Sequence, residues 1–206
     1  MGDDAAVSAP RHAARRGSLL GLALGLVAVL AGSNATGDVG VAHTIEQILE
    51  DVTAIVVARP VGEPRYAFVI VGSDPRPDLD LVNYTRDVAI SRTVFGVETG
   101  VLAVGTVGWN PRSPRPPQTE VEIDGVSLPL IGPLPDGEAL FFLKPFADGV
   151  TYGLVGEDRG RVPLHQDPGS GAWRTAPDAL VPELADKPLD ELIEWLRTQL
   201  RKRRSE

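Results

Sequence analysis

From Tyr84 to Val94 the side chains alternate without a break: Tyr84, Arg86, Val88, Ile90, Arg92 and Val94 fall on one side of an extended chain, and Thr85, Asp87, Ala89, Ser91 and Thr93 on the other. A helix does not keep a period of two over such a length, so one long, partly exposed strand ending at Phe95-Gly96 is predicted. The rest of the chain must then supply partners for it. Thr53 to Arg59 and Tyr66 to Val71 are strand-forming runs separated by Gly62 and Pro64, a pattern that suits a hairpin. Val101 to Val107, Tyr152 to Val155, Arg161 to His165 and Trp173 to Thr175 read as further strands. So do Thr119 to Ile123 and Val126 to Leu130, around an Asp124-Gly125 turn. Leu140-Phe141-Phe142-Leu143 is the most apolar run of the body and is expected to form a central strand.

A helix is predicted at each end of this strand series. Thr44-Ile45-Glu46-Gln47 has the capping-box pattern, which starts a short helix reaching about Asp51. At the other end Pro188 suits a first helical position, and Asp190 and Glu191 suit the positive N-terminal end. Leu189, Leu192, Ile193, Leu196 and Leu200 then recur at helical spacing, an apolar stripe that must bury against the sheet. The architecture expected is mainly β: a small, partly open barrel with a short N-terminal helix and a C-terminal amphipathic helix. The barrel domain is placed at residues 36–185, and the helix with its basic tail at 186–206.

Residues 1–35 read as a signal peptide or a membrane anchor. Arg11, Arg15 and Arg16 precede an uncharged run from Gly17 to Ala35. Its apolar centre, Leu19 to Gly32, is shorter than the roughly 20 residues of a spanning helix, which favours a cleaved signal over a permanent anchor. Ser33-Asn34-Ala35 supplies small residues where a signal peptidase reads, placing the cut before Thr36. An uncleaved anchor and a buried helix of the fold are the other readings. Arg15-Arg16 followed by Gly17-Ser18-Leu19-Leu20 resembles a twin-arginine export signal, with Ser18 where an aromatic or leucine is usual. Val29 to Ser33 resembles a lipoprotein box, but Ser33 stands where lipid attachment needs cysteine. The chain is therefore expected outside the cytoplasm, in the cell envelope or beyond it, with possible membrane contact through this segment.

Several chemistries are excluded by composition. With 206 residues, 43% of them hydrophobic, the chain is no disordered tail. Cysteine is absent, which removes disulfides, thiolate zinc sites and thiol nucleophiles together. A net charge of −8 without a basic face disfavours nucleic acid. His43 and His165 form no pair at metal-helix spacing, no Gly-x-Ser-x-Gly elbow occurs, and Gly105, Gly108, Gly149, Gly153, Gly156 and Gly160 lack the strand-to-helix context of phosphate loops. No metal, cofactor or catalytic residue is assigned. Asp74, Asp78 and Asp80 share one Pro-rich loop and read as solvated acids; they are where an acid/base hydrolase or a calcium site would be sought. Arg201-Lys202-Arg203-Arg204 either complements the negative end of the last helix or attracts an anionic surface. The candidate binding residues are Trp109, Arg112 and Arg115, on the stiff segment Trp109 to Pro117, because tryptophan and arginine carry interface energy and a pre-ordered loop loses little entropy on docking; the alternative is a rigid linker that crosses the barrel end with Trp109 in the core.

The order of motifs also carries a resemblance. Ile55-Val56-Val57-Ala58-Arg59, Tyr84-Thr85 through Val94-Phe95-Gly96, Gly137-Glu138-Ala139-Leu140-Phe141-Phe142-Leu143, and Tyr152 to Gly156 with Gly160-Arg161-Val162-Pro163 resemble exported bacterial proteins built on an OB-like barrel. Those are similar in fold to netrin and tissue-inhibitor-of-metalloproteinases modules. The resemblance spans residues 53–166 and implies an OB-like barrel. The inhibitors act through an N-terminal cysteine that this chain lacks, so zinc-protease inhibition is not implied. The function expected is a secreted or envelope-associated, non-catalytic binding module whose partner is a protein or envelope component. The alternatives are a carboxylate-based acid/base hydrolase and a membrane-tethered envelope structural protein.

Overall fold

A computed structural model describes residues 44–68, 70–71, 74–75, 80–97, 100–123 and 126–205. The segment read as a signal peptide or anchor, His43, Asp78 and the Asp124-Gly125 pair read as a turn lie outside them. The capping box forms as the spacing predicts: Thr44 N–H donates to Gln47 Oε1 at 2.9 Å, and Gln47 N–H donates to Thr44 Oγ1 at 3.4 Å. Helix α1 (Ile45–Asp51) ends at an extended Val52, which turns the chain directly into β1 (Ala54–Phe68).

The predicted hairpin over residues 53–71 is instead this one long strand. Val61 pairs with Asp87 and Arg65 with Thr85, so Gly62, Glu63 and Pro64 bulge out opposite a single residue, Arg86. Pro60 and Pro64 are tolerated because, among the described residues, β1 has a strand partner on its second edge only from Ala54 to Ala58. Past that point the missing amide has no ladder to break.

The remaining strands are β2 (Ile70–Val71), β3 (Asp74–Pro75), β4 (Leu81–Phe95), β5 (Val101–Trp109), β6 (Glu120–Ile123), β7 (Val126–Pro129), β8 (Ala139–Pro145), β9 (Thr151–Leu154), β10 (Arg161–Gln166) and β11 (Trp173–Thr175), followed by α2 (Leu189–Ser205). Pairing runs β1-β4-β5-β9-β8, and β8 pairs back onto β1, so the five strands form a closed ring. All contacts in the ring are antiparallel except β5 with β9. This is a closed, OB-like barrel, with β10 and β11 continuing the sheet beyond β8 and with β2-β3 and β6-β7 as separate two-stranded ribbons. Among the described residues no helix is long and apolar enough to cross a membrane.

Two apolar clusters divide the barrel strands by their period of two. Ala54, Val56 and Ala58 of β1 join Ala139, Phe141 and Leu143 of β8, with Val88 and Val104, inside the ring. Ile55 and Val57 join Leu140 and Phe142 on the outside, under α1 and α2. Both faces of β1 and β8 are therefore buried here, which is why Leu140 to Leu143 is apolar throughout. Inside, the small Ala54, Ala58 and Ala139 leave room for Phe141 and Leu143 in the little volume that five strands enclose.

The strict alternation read along β4 is broken twice. The register skips Ser91 and Val94, so Val88 and Ile90 face the interior cluster while Val94 turns outward beneath the helices. Arg92 turns outward too and pairs with Asp190 of α2. Such bulges let a long strand coil around a narrow barrel, and nothing in a binary pattern announces them. A close approach also explains two glycines: side chains at Gly105 or Gly153 would meet the Phe146 ring at 2.7 Å, where the parallel pair β5-β9 completes the ring.

The outer layer is made by the helices. Leu189, Leu192, Ile193, Leu196 and Leu200 of α2 are all buried, with Ile45, Ile48 and Leu49 of α1. Two residues of the basic tail are held within the fold: Arg203 lies 3.5 Å from Glu50, and Arg204 stacks 4.6 Å above the Phe95 ring.

Candidate binding surface

Beyond the ring, β1, β4 and β5 continue as a three-stranded extension. Its register sets Tyr66 beside Tyr84, and Tyr84 beside Thr106. The two tyrosine rings meet with centroids 5.9 Å apart at 53°, a tilted contact favoured by ring quadrupoles. Tyr84 is buried and donates its hydroxyl to the Trp109 carbonyl at 2.9 Å. Burial, with a smaller contribution from Tyr66, pushes its phenol up from the ordinary value. Tyr66 is exposed, and Phe68, two residues along and on the same face, is 44% exposed.

The loop after β5 folds back onto this face. Asn110 N–H donates to the Asp80 carbonyl at 2.7 Å, and the Asn110 side-chain oxygen accepts from Arg112 N–H at 3.0 Å. Ser113 caps the next turn by accepting from Arg115 N–H at 3.0 Å. Hydrogen bonds as well as prolines therefore hold the loop. They place the Arg112 guanidinium 5.7 Å above the Tyr66 ring, while Arg115 turns away to pair with Asp80 at 3.1 Å.

The three candidate residues thus separate. Arg112 joins an exposed aromatic surface, and Arg115 is neutralised by Asp80. Trp109 is half-buried at the end of β5, its indole N–H enclosed without a hydrogen-bond partner. Tyr66 and Phe68 were not candidates on sequence, because only the strand register brings them to the loop. Of the acidic trio, Asp80 is buried and committed to Arg115; Asp74 lies in β3, and its side chain, like Asp78, is outside the described residues. His165 is exposed on β10. Among the described residues no three potential ligands converge on a metal position.

Compared with known proteins, the chain matches no family model, no curated protein and no solved structure.

Proposed function

We propose that this chain is an exported, envelope-associated binding module, without catalysis, that engages a protein or envelope component through the surface formed by Tyr66, Phe68 and Arg112. The observation that carries this reading is the exposure of two large aromatic side chains beside a stacked arginine on a sheet extension. Aromatic and arginine side chains on a rigid platform are the composition of interface hot spots. Arg112 stacks on the Tyr66 ring, an arrangement that fits an acidic or aromatic partner. The order Arg15-Arg16, Leu19 to Gly32, Ser33-Asn34-Ala35 supports export with cleavage before Thr36.

The test is capture from the native envelope and culture fluid by wild type and by the Tyr66→Ala/Arg112→Glu double variant, with bound proteins and glycans identified. A partner retained by wild type and lost by the variant, with the variant still melting in one cooperative step, supports the surface. Identical capture by both forms overturns it. N-terminal sequencing of the same exported protein checks the leader: Thr36 is the expected first residue, and an intact chain in the membrane favours the tethered structural alternative.

A further inference from the structure

A second site lies elsewhere, in a cleft of about 330 Å³ with no residue in common with the aromatic surface. Its walls include Ile131, Leu154 and Leu180, together with Arg161 from the start of β10. The turn before Arg161 has two consecutive residues in the left-handed region, Gly156 at φ 72° and Glu157 at φ 59°. Glutamate adopts that conformation at a cost, which the surrounding packing must offset.

Arg161 is poorly satisfied. Its Nε–H is enclosed without a partner, and Nη2 reaches the carbonyls of Pro135 and Asp136 only at 3.4 Å each. It has no ion pair among the described residues, and burial pulls its pKa below the ordinary arginine value. Arg86, which bonds to the same segment, Leu134 to Asp136, provides the contrast. It donates to the Leu134 carbonyl at 2.6 Å, to the Gly62 carbonyl at 3.0 Å and to the Asp136 carboxylate at 2.6 Å. A half-buried guanidinium left without an anion is unfavourable for folding, and a neighbouring cleft is where an anion can reach it.

We propose that this cleft binds a small monocarboxylate with an apolar chain, its carboxylate on the Arg161 fork and its chain against Ile131, Leu154 and Leu180. The fork geometry of arginine matches a planar carboxylate. Asp158 and Asp178 line the same cleft; they repel every anion, a dianion about twice as strongly as a monoanion, so next to Arg161 a carboxylate is favoured over a phosphate. The apolar walls select the tail.

Octanoate is the probe, titrated calorimetrically into the full chain up to about 10 mM, with N-acetylleucine, octanol and octyl phosphate in parallel. Octanoate is expected to bind about tenfold or more tightly than octanol and octyl phosphate. N-acetylleucine binding more tightly than octanoate would identify a peptide C-terminus as the carboxylate source; the reverse order would identify a free acyl chain. Arg161→Met should lose octanoate binding while keeping or raising the melting temperature, since an unpaired buried charge is removed. Leu180→Glu, at a 55% exposed position of the cleft, should lose binding without disturbing the core. Absence of octanoate binding by wild type, equal binding of octanol, tighter binding of octyl phosphate, or unaltered binding by both variants would each overturn the proposal.

Discussion

The two halves of β1 obey different physics although they are one strand. From Ala54 to Ala58 every side chain is at most 3% exposed, both edges are paired, and the helices cover the outer face. From Gly62 to Phe68 β4 is the only strand partner among the described residues, and nearly every side chain meets solvent. Pro60, Gly62 and Pro64 mark the changeover. The first half is determined by packing; the second is free to carry side chains that packing does not require, which is where a recognition surface can be built. Charged Glu63 and Arg65 with the two prolines also blunt the open edge against pairing with other chains.

The strongest test of this division is at the covered end. Leu196→Ala empties a fully buried site between α2 and the barrel and should cost about 2–5 kcal/mol in denaturant unfolding. A loss under about 0.5 kcal/mol would mean that the covered half does not depend on its helix. At the changeover, Arg86→Met removes the guanidinium that joins Gly62 to Leu134 and Asp136, and should cost about 1.5–3 kcal/mol, the range for hydrogen bonds from a charged donor. A neutral result would make the bulge self-supporting.

A smaller effect comes from Glu157, whose turn packs Gly156 against Ile48 at the covered end. Burial, then the neighbouring Asp158, raises its carboxyl pKa above the ordinary 4.5. The folded state therefore disfavours the ionised form: the associated stability is full below about pH 4.5 and is lost as pH rises through the elevated folded value. Glu157→Gln should raise the melting temperature at neutral pH, with the gain vanishing in acid. The smallest effect belongs to the exposed half, where Phe68→Ala should change stability by under about 0.5 kcal/mol and Tyr66→Ala by at most about 1.5 kcal/mol, the worth of its ring contact with Tyr84. A larger loss for either would turn the proposed surface into part of the core.

The elements themselves were legible in the sequence because their signals are local. The Thr44/Gln47 box, the helical stripe from Leu189 to Leu200 and the apolar run at Leu140 to Leu143 each appear in the structure as predicted. What was not legible depends on register. The residues that read as a hairpin turn, Gly62 and Pro64, sit in a bulge because the partner that tolerates them lies over twenty residues away, at Arg86. Ser91 and Val94 interrupt a perfect alternation for the sake of barrel curvature. At the candidate surface, Arg112 could be chosen by type and loop, but Tyr66 and Phe68 join it only through cross-strand pairing, and the partnering of Arg115 with Asp80 is a contact between two loops. Arg161 carried no sequence signal, since an unsatisfied guanidinium is defined by what surrounds it.

The seam between β1 and β8 also sets the order in which the molecule can assemble. Thr53 and Leu143, bonded at this seam, are 90 positions apart, whereas β4 and β5 follow one another closely in the chain. Loop-closure entropy rewards the local ribbon first and leaves the seam until last, so closure governs the folding rate. During synthesis the Ala54-Ile55-Val56-Val57-Ala58 edge emerges long before its partner and waits unpaired, a β-rich template without a charge. Refolding at high concentration should therefore lose material to aggregation through this edge, and yield should rise on dilution far more than it responds to any change at the exposed end of the strand.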